Sequence, residues 1–162
     1  MTFIPITEIN YTEVAEIYES GIKTGIATFE TTVPDWKSWS SSHLNFGRIA
    51  IQENDKILGW ASLSGVSNRC VYGGVAEVSV YVAESVRGKG IGKILLQELI
   101  KISEENNIWT LQAGIMKSNQ PSIQLHLNCG FRMIGYREKI GKLNDVWLDN
   151  VVLERRSKII GT

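Results

Sequence analysis

Cysteine and histidine are scarce in this chain, at two residues each among 162, and proline occurs three times. Cys70 and Cys129 form no CxxC pair, so a disulfide framework is not expected and a reduced, cytoplasmic protein fits best. No metal site is expected. Cys129, beside Gly130 and Phe131, reads as a small packed thiol. Charge of one sign is also missing: 17 basic residues cancel 17 acidic ones. No global field therefore points to nucleic acid or to an anionic membrane. There is no apolar run of roughly eighteen residues, so no membrane span is expected. The start, "MTFIPITEINYTE", lacks a basic stretch followed by a long apolar one, so no signal peptide is expected either. With no repeat and no Pro/Gly/Ser linker, residues 1–162 read as one domain.

What is present is ordinary for a globular domain: 43% apolar and 21% charged residues. Asn10 followed by Glu13 predicts a capping box opening a helix that carries Val14, Ile17, Tyr18 and Ile22 at helical spacing. Gly21 and Gly25 weaken its end. Pro34 breaks the chain before a short helix over about Trp36 to His43. "RIAIQ" and "ILGWASLSG" flank "ENDK" and predict two antiparallel strands joined by a tight turn. "AEVSVYV" is a strand with Val78, Val80 and Val82 on one face. Helical spacing resumes at Ile91, Leu95, Leu96, Leu99 and Ile100. The strand "WTLQAGI" follows, then a helix opened by Pro121 and stopped by Gly130, then the strands "FRMIGYRE" and "VWLDNVVLE". The fold class is α/β (α+β): a mixed sheet covered by helices, with a parallel crossover where a strand leads through glycines into a helix and back to a strand.

Those glycines carry the first chemical signal. In "SVRGKGIGKILLQELI", Gly88, Gly90 and Gly92 alternate between a strand end and a helix start, among Arg87, Lys89 and Lys93. A helix's first turn has unpaired N–H groups and a partial positive charge. Without side chains in the way, an anion reaches those groups closely. A phosphate or pyrophosphate site is the prediction; a purely structural turn is the alternative. A dinucleotide fingerprint fails because Lys93 stands where its third glycine belongs. A Walker A loop fails at Arg87 and again at Ile94.

Arg87-Gly88-Lys89-Gly90-Ile91-Gly92 resembles the R/Q-x-x-G-x-G/A signature of the GNAT superfamily of acyl-CoA-dependent N-acetyltransferases. "SNQPSIQLHLNCGF" is similar to that family's later motif through Asn119, Ser122, Leu125, His126, Gly130 and Phe131. The phosphinothricin and methionine sulfoximine N-acetyltransferase branch is resembled more closely still. Its marks are Thr28-Phe29-Glu30, Gly59-Trp60-Ala61, Arg69 to Tyr72, and "GKLNDVWLD" from Gly141 to Asp149.

The resemblance implies a mostly antiparallel sheet flanked by helices, acetyl-CoA as donor and a homodimer with substrate pockets near the subunit contact. The diphosphate would lie on the amides from Gly88 to Lys93, Ile91 included. The pantetheine arm would pair with the main chain at Val80, Tyr81 and Val82, beside a strand that a bulge splays from its neighbour. A backbone N–H near Val82 would meet the thioester oxygen. Asn119 and Ser122 would touch the cofactor, although Asn119 also suits a helix cap.

An α-amine with a pKa roughly two units above neutral is only about 1% unprotonated at pH 7, a handicap near 2.7 kcal/mol. The resembling branch has a glutamate where Glu77 stands, so Glu77 is the candidate base, acting through water; a solvated strand-end carboxylate is its alternative. His126 replaces the family's commoner tyrosine and either donates to the leaving sulfur or fills space. Arg69 is a candidate clamp for a substrate carboxylate, or a solvated loop residue. Tyr72, Phe29 and Glu30 are candidates to shape the pocket and grip the amine. His43 reads as an ordinary helix-end residue. The expected activity is acetyl transfer to the α-amine of a small amino acid or analogue. Transfer to a protein N-terminus, polyamine or aminoglycoside is the alternative within the class, and a non-catalytic acyl-CoA sensor the alternative outside it.

Overall fold

Seven strands form one sheet, in the order β1 (Thr2–Pro5), β2 (Ile49–Glu53), β3 (Lys56–Gly65), β4 (Val75–Val82), β5 (Thr110–Met116), β7 (Val146–Arg156), β6 (Arg132–Leu143), and only β4 and β5 run parallel. The computed structural model describes residues 1–162. Strands β2 (Ile49–Glu53) and β3 (Lys56–Gly65) form the expected hairpin. Asn54 and Asp55 turn it with φ of 50° and 59°, the pair of positive φ values that matches strand twist in a two-residue loop. Strand β4 (Val75–Val82) lies antiparallel to β3, and β5 (Thr110–Met116) returns parallel to β4 after helix α3 (Ile91–Glu105).

Helices cover both faces. On one side, α3 packs Leu95, Leu96 and Leu99, all fully buried, against Leu63, Val78, Leu111 and Leu153. Removing such a side chain from water contributes about 1.5–3 kcal/mol. Helix α4 (Gln120–Asn128) joins this face through Ile123, and Gly130 ends it at φ 86°. On the other side, α1 (Tyr11–Lys23) and α2 (Trp36–Ser42) bury Val14, Ile17, Trp39 and Trp60. Asp35 caps α2, accepting the Ser38 N–H at 2.8 Å.

Three expectations need correction. The capping box at Asn10 and Glu13 does not form: the Asn10 amide instead accepts from Thr7 N–H at 2.8 Å and donates to Pro5 O at 2.9 Å, while Glu13 accepts from Ile57 N–H at 3.3 Å. Residues Thr2–Pro5, read only for targeting, form edge strand β1 against β2. The last hairpin is longer than its apolar pattern: β6 runs Arg132–Leu143 and β7 runs Val146–Arg156, turned by Asn144 and Asp145 at φ 48° and 65°. Its exposed positions did not register as strand.

Candidate active site

Strand β4 pairs with β5 over only three residues, Val75 to Glu77, after which the two part. The expected bulge is not the cause. The β3–β4 register runs unbroken from Gly59↔Val82 to Gly65↔Ala76. The parting opens a cleft of about 630 Å³ between the strands, the start of α3, α4 and the segment Thr28–Glu30.

Backbone polarity in the gap follows from one bond. Ala83 N–H donates to Leu58 O at 2.9 Å. Alternation along an antiparallel strand then turns the Tyr81 peptide groups towards β3 and those of Val80 and Val82 towards the gap. Val80 and Val82 are therefore available to a strand-like ligand. Tyr81 is not, and this corrects the expectation for it. The Tyr81 ring instead stacks on Trp60, 4.7 Å between centroids, on the α1 side of the sheet.

At the far end of the gap the glycine turn has the form an anion needs. Gly88 and Gly90 have φ of 77° and 84°, a conformation open to glycine at little cost. A Cβ on either would meet nothing within 4 Å, so the space before the helix is open. The amides of Gly88 and Gly90 donate to no backbone acceptor, and those of Ile91 and Gly92 begin α3. Lys89 and Lys93 amides are already bonded, to Val86 O and Gly90 O, which narrows the expected cradle. Arg87, Gly88, Gly90, Ile91, Gly92 and Lys93 line the cleft; Lys89 does not. Arg87 reaches Ser20 Oγ at 3.1 Å and Val82 O at 3.4 Å. The residues present suit a diphosphate followed by an extended arm, as coenzyme A carries.

Helix α4 supplies the wall with Asn119, Ser122 and His126. Asn119 caps the helix: its Oδ1 accepts Ser122 N–H at 3.3 Å, and its Nδ2 donates to Ile26 O at 3.3 Å. His126 is buried, with Nδ1 2.7 Å from Ser122 O and its ring edge-on to Phe131. A carbonyl only accepts, so Nδ1 carries the proton. Burial also pushes the imidazole pKa down. A neutral ring protonated at Nδ1 offers Nε2 as an acceptor and leaves it no proton to donate.

Glu77 stands where the strands begin to part. It is reachable by solvent, yet the surrounding protein pushes its carboxyl pKa up, and the Arg137 charge partly offsets this. Phe29 and Glu30 form the mouth, and the Phe29 ring covers Gly141. Arg69 and Tyr72 are not brought to the cleft. They lie exposed on the loop before β4, with the Arg69 guanidinium 5.4 Å from the Tyr72 ring centroid.

Sequence reasoning missed Tyr18, Thr28, Gly114, Arg137 and Asn150, which all line the cleft. Gly114 had a signal: a glycine inside a strand marks close approach of another group. Arg137 had none, because only the β6–β7 register puts it opposite Asn150.

A glycine turn suited to a diphosphate, a strand gap with free main-chain groups and a carboxylate with a raised pKa together form the arrangement of an acyl-CoA-dependent acyltransferase. Residues 13–131 match the model of the acetyltransferase (GNAT) family, and the chain belongs to that family. It is 30% identical over 139 residues to the L-methionine sulfoximine/L-methionine sulfone acetyltransferase of Pseudomonas paraeruginosa, covering 82% of this chain and 81% of that one. It resembles the phosphinothricin acetyltransferase (Pat) of Sinorhizobium meliloti, solved in complex with AcCoA, with TM-score 0.85, 27% identity and coverage of 99% and 95%. It also resembles the ribosomal-protein-alanine N-acetyltransferase of Brucella melitensis, with TM-score 0.89, 28% identity and coverage of 97% and 100%. The protein is an acetyl-CoA-dependent N-acetyltransferase, related to enzymes of the phosphinothricin and methionine sulfoximine branch.

Proposed function

We propose that this enzyme acetylates the α-amine of a small amino acid or analogue, of the phosphinothricin, methionine sulfoximine or methionine sulfone type. The observation that carries this reading is the continuity of one cleft from the glycine turn to Glu77. Similarity to the Pseudomonas and Sinorhizobium enzymes supports the acceptor class.

Acetyl-CoA supplies a thioester carbonyl. The free amides of Gly88, Gly90, Ile91 and Gly92, with Arg87 and Lys93, hold its diphosphate. Main-chain groups of Val80 and Val82 align its arm, and the Val82 N–H, turned to the gap, stabilises charge on the carbonyl oxygen. Glu77 takes a proton from the acceptor ammonium, directly or through water. The amine then attacks the carbonyl carbon. A C–N bond forms, the C–S bond breaks, and the second proton shed by the acylated nitrogen passes, through water, to the departing thiolate. Neither Cys70 nor Cys129 lines the cleft, which supports direct attack in a ternary complex over an acetyl-cysteine route. His126 is a wall in this scheme, not the proton donor.

The working protein in this reading is a cytoplasmic homodimer. Two free thiols suit a reducing compartment. The last hairpin exposes Met133, Ile134, Tyr136, Ile140, Val146 and Trp147, a surface suited to a second copy. Tyr72 and Arg69, outside their own cleft, are then candidates to reach the partner's mouth. Light scattering would check the dimer.

The direct test is initial-velocity kinetics with acetyl-CoA and phosphinothricin, methionine sulfoximine, methionine sulfone, a polyamine and an alanine-terminated peptide. Turnover on the amino acids with intersecting double-reciprocal lines is expected. Turnover on the peptide alone would reject the acceptor class and favour the protein N-terminus, consistent with the Brucella likeness.

A further inference from the structure

Three cations line the cleft: Arg87, Lys93 and Arg137. The first two stand at the glycine turn, and Arg87 is engaged with Ser20 and Val82. Arg137 is at the other end. Cross-strand partners share a face of the sheet. Glu77 pairs with Gln112, and Gln112 with Glu154; four residues along β7 from Glu154, Asn150 pairs with Arg137. Glu77 and Arg137 thus rise from the same face. The floor between them includes Gly114, whose missing side chain leaves Asn150 as its nearest neighbour, 3.6 Å from where a Cβ would be.

Arg137 has no partner in the fold. The six ion pairs of the chain lie elsewhere, and its guanidinium makes no hydrogen bond. Its backbone position is nevertheless well fixed. The β6–β7 register shifts between Arg137 and Gly141, and Asp149 pins that irregularity by accepting from the Lys139 N–H at 2.7 Å and from the Tyr136 hydroxyl. A cation on an ordered strand, unpaired and facing a carboxylate across an empty floor, suits a ligand that brings both charges.

We propose that Arg137 binds the α-carboxylate of the acceptor and so delivers its amine to Glu77. This rests on the amino-acid reading above. A guanidinium grips a carboxylate through two parallel N–H bonds, which fixes orientation as well as position. The ammonium, one carbon away, is then directed to Glu77. The electrostatics agree: Arg137 already acts on Glu77, favouring its charged form. A substrate carboxylate seated on Arg137 neutralises that influence and leaves Glu77 the stronger base. Selectivity for α-amino acids over simple amines follows from this one contact, within a single subunit.

The experiment compares the native enzyme with Arg137→Gln and Arg137→Lys on two acceptors, methionine sulfone and its decarboxylated analogue, 3-(methylsulfonyl)propan-1-amine. Assays run at about pH 8.5, well above the ordinary glutamate range. The expected result is a fall in kcat/KM for methionine sulfone on the order of 10- to 100-fold in Arg137→Gln, with the decarboxylated amine changed by less than roughly threefold. Arg137→Lys falls between, since it keeps charge without the fork. Calorimetry with coenzyme A reports whether each variant is folded. Equal losses on both acceptors, or none on either, overturn the role of Arg137 while the amino-acid reading stands. If the native enzyme acetylates no α-amino acid, that reading fails and the role falls with it.

Discussion

Phe29 lies over Gly141 so closely that a Cβ there would sit 2.6 Å from its ring. The contact ties the loop after α1 to the far hairpin and closes one side of the cleft mouth. Gly141→Ala must displace the ring. Acceptor KM is expected to rise on the order of tenfold, with little change in the dissociation constant for coenzyme A. Steady-state kinetics beside calorimetry separate the two, and an equal rise in both would mean that the contact does not belong to the acceptor side.

The glycine turn is sensitive at Gly90 for a backbone reason. A Cβ would meet nothing, but φ of 84° places any other residue in the left-handed region. That costs roughly 1–2 kcal/mol, and relief of the strain would turn the amides away from the diphosphate. Gly90→Ala should weaken coenzyme A binding by about tenfold. Gly92 is helical, and its Cβ would press Leu125 at 3.1 Å, a side-chain tip that can move. Gly92→Ala should do less. Calorimetric titration of the two variants checks the order.

In the proposed mechanism Glu77 sets the pH response. Burial raises its pKa and Arg137 lowers it, with burial the larger influence. A base must be ionised, so activity falls as pH drops through that raised value. The acid limb of kcat/KM is therefore expected above the ordinary glutamate value of about 4.3. Removing the Arg137 charge takes away the influence that favours ionisation, so Arg137→Gln moves the limb higher still. Glu77→Gln should remove the limb and cost roughly 10²- to 10⁴-fold in kcat/KM. A limb that survives in Glu77→Gln assigns it to another group.

Stability has its own sensitive glycine, outside the residues that line the cleft. A Cβ on Gly74 would lie 2.0 Å from the Trp109 ring, which is also packed by Gly161. A broad ring held from two sides yields poorly. Gly74→Ala should cost about 1–3 kcal/mol, lowering Tm by roughly 3–10 °C. Thermal melts followed by circular dichroism measure it.

Much of the fold was legible because its signals are local. Apolar spacing located α1 and α3. Asn54-Asp55 marked a turn, and Pro121 and Gly130 bracketed α4. The failures share a cause. Thr2–Pro5 is too short and too exposed to show alternation, and becomes a strand only because β2 offers an edge. Asn10 and Glu13 have the spacing of a capping box, but Pro5, Thr7 and Ile57 compete for the same side chains. Local pattern could not foresee partners brought in by the sheet.

By itself the amino-acid sequence determined the form of the glycine turn, since Gly88 and Gly90 before a helix supply the positive φ values that the proposed anion site needs. Its resemblance to the branch also singled out Glu77 as the candidate base. Which charges meet was decided by tertiary structure. Arg69 carried the motif and lies outside the cleft; Arg137 carried none and stands on the same face as Glu77. Strand register, set by pairing across the whole sheet, assigns a residue to a face and a neighbour, and no short stretch of chain contains that information.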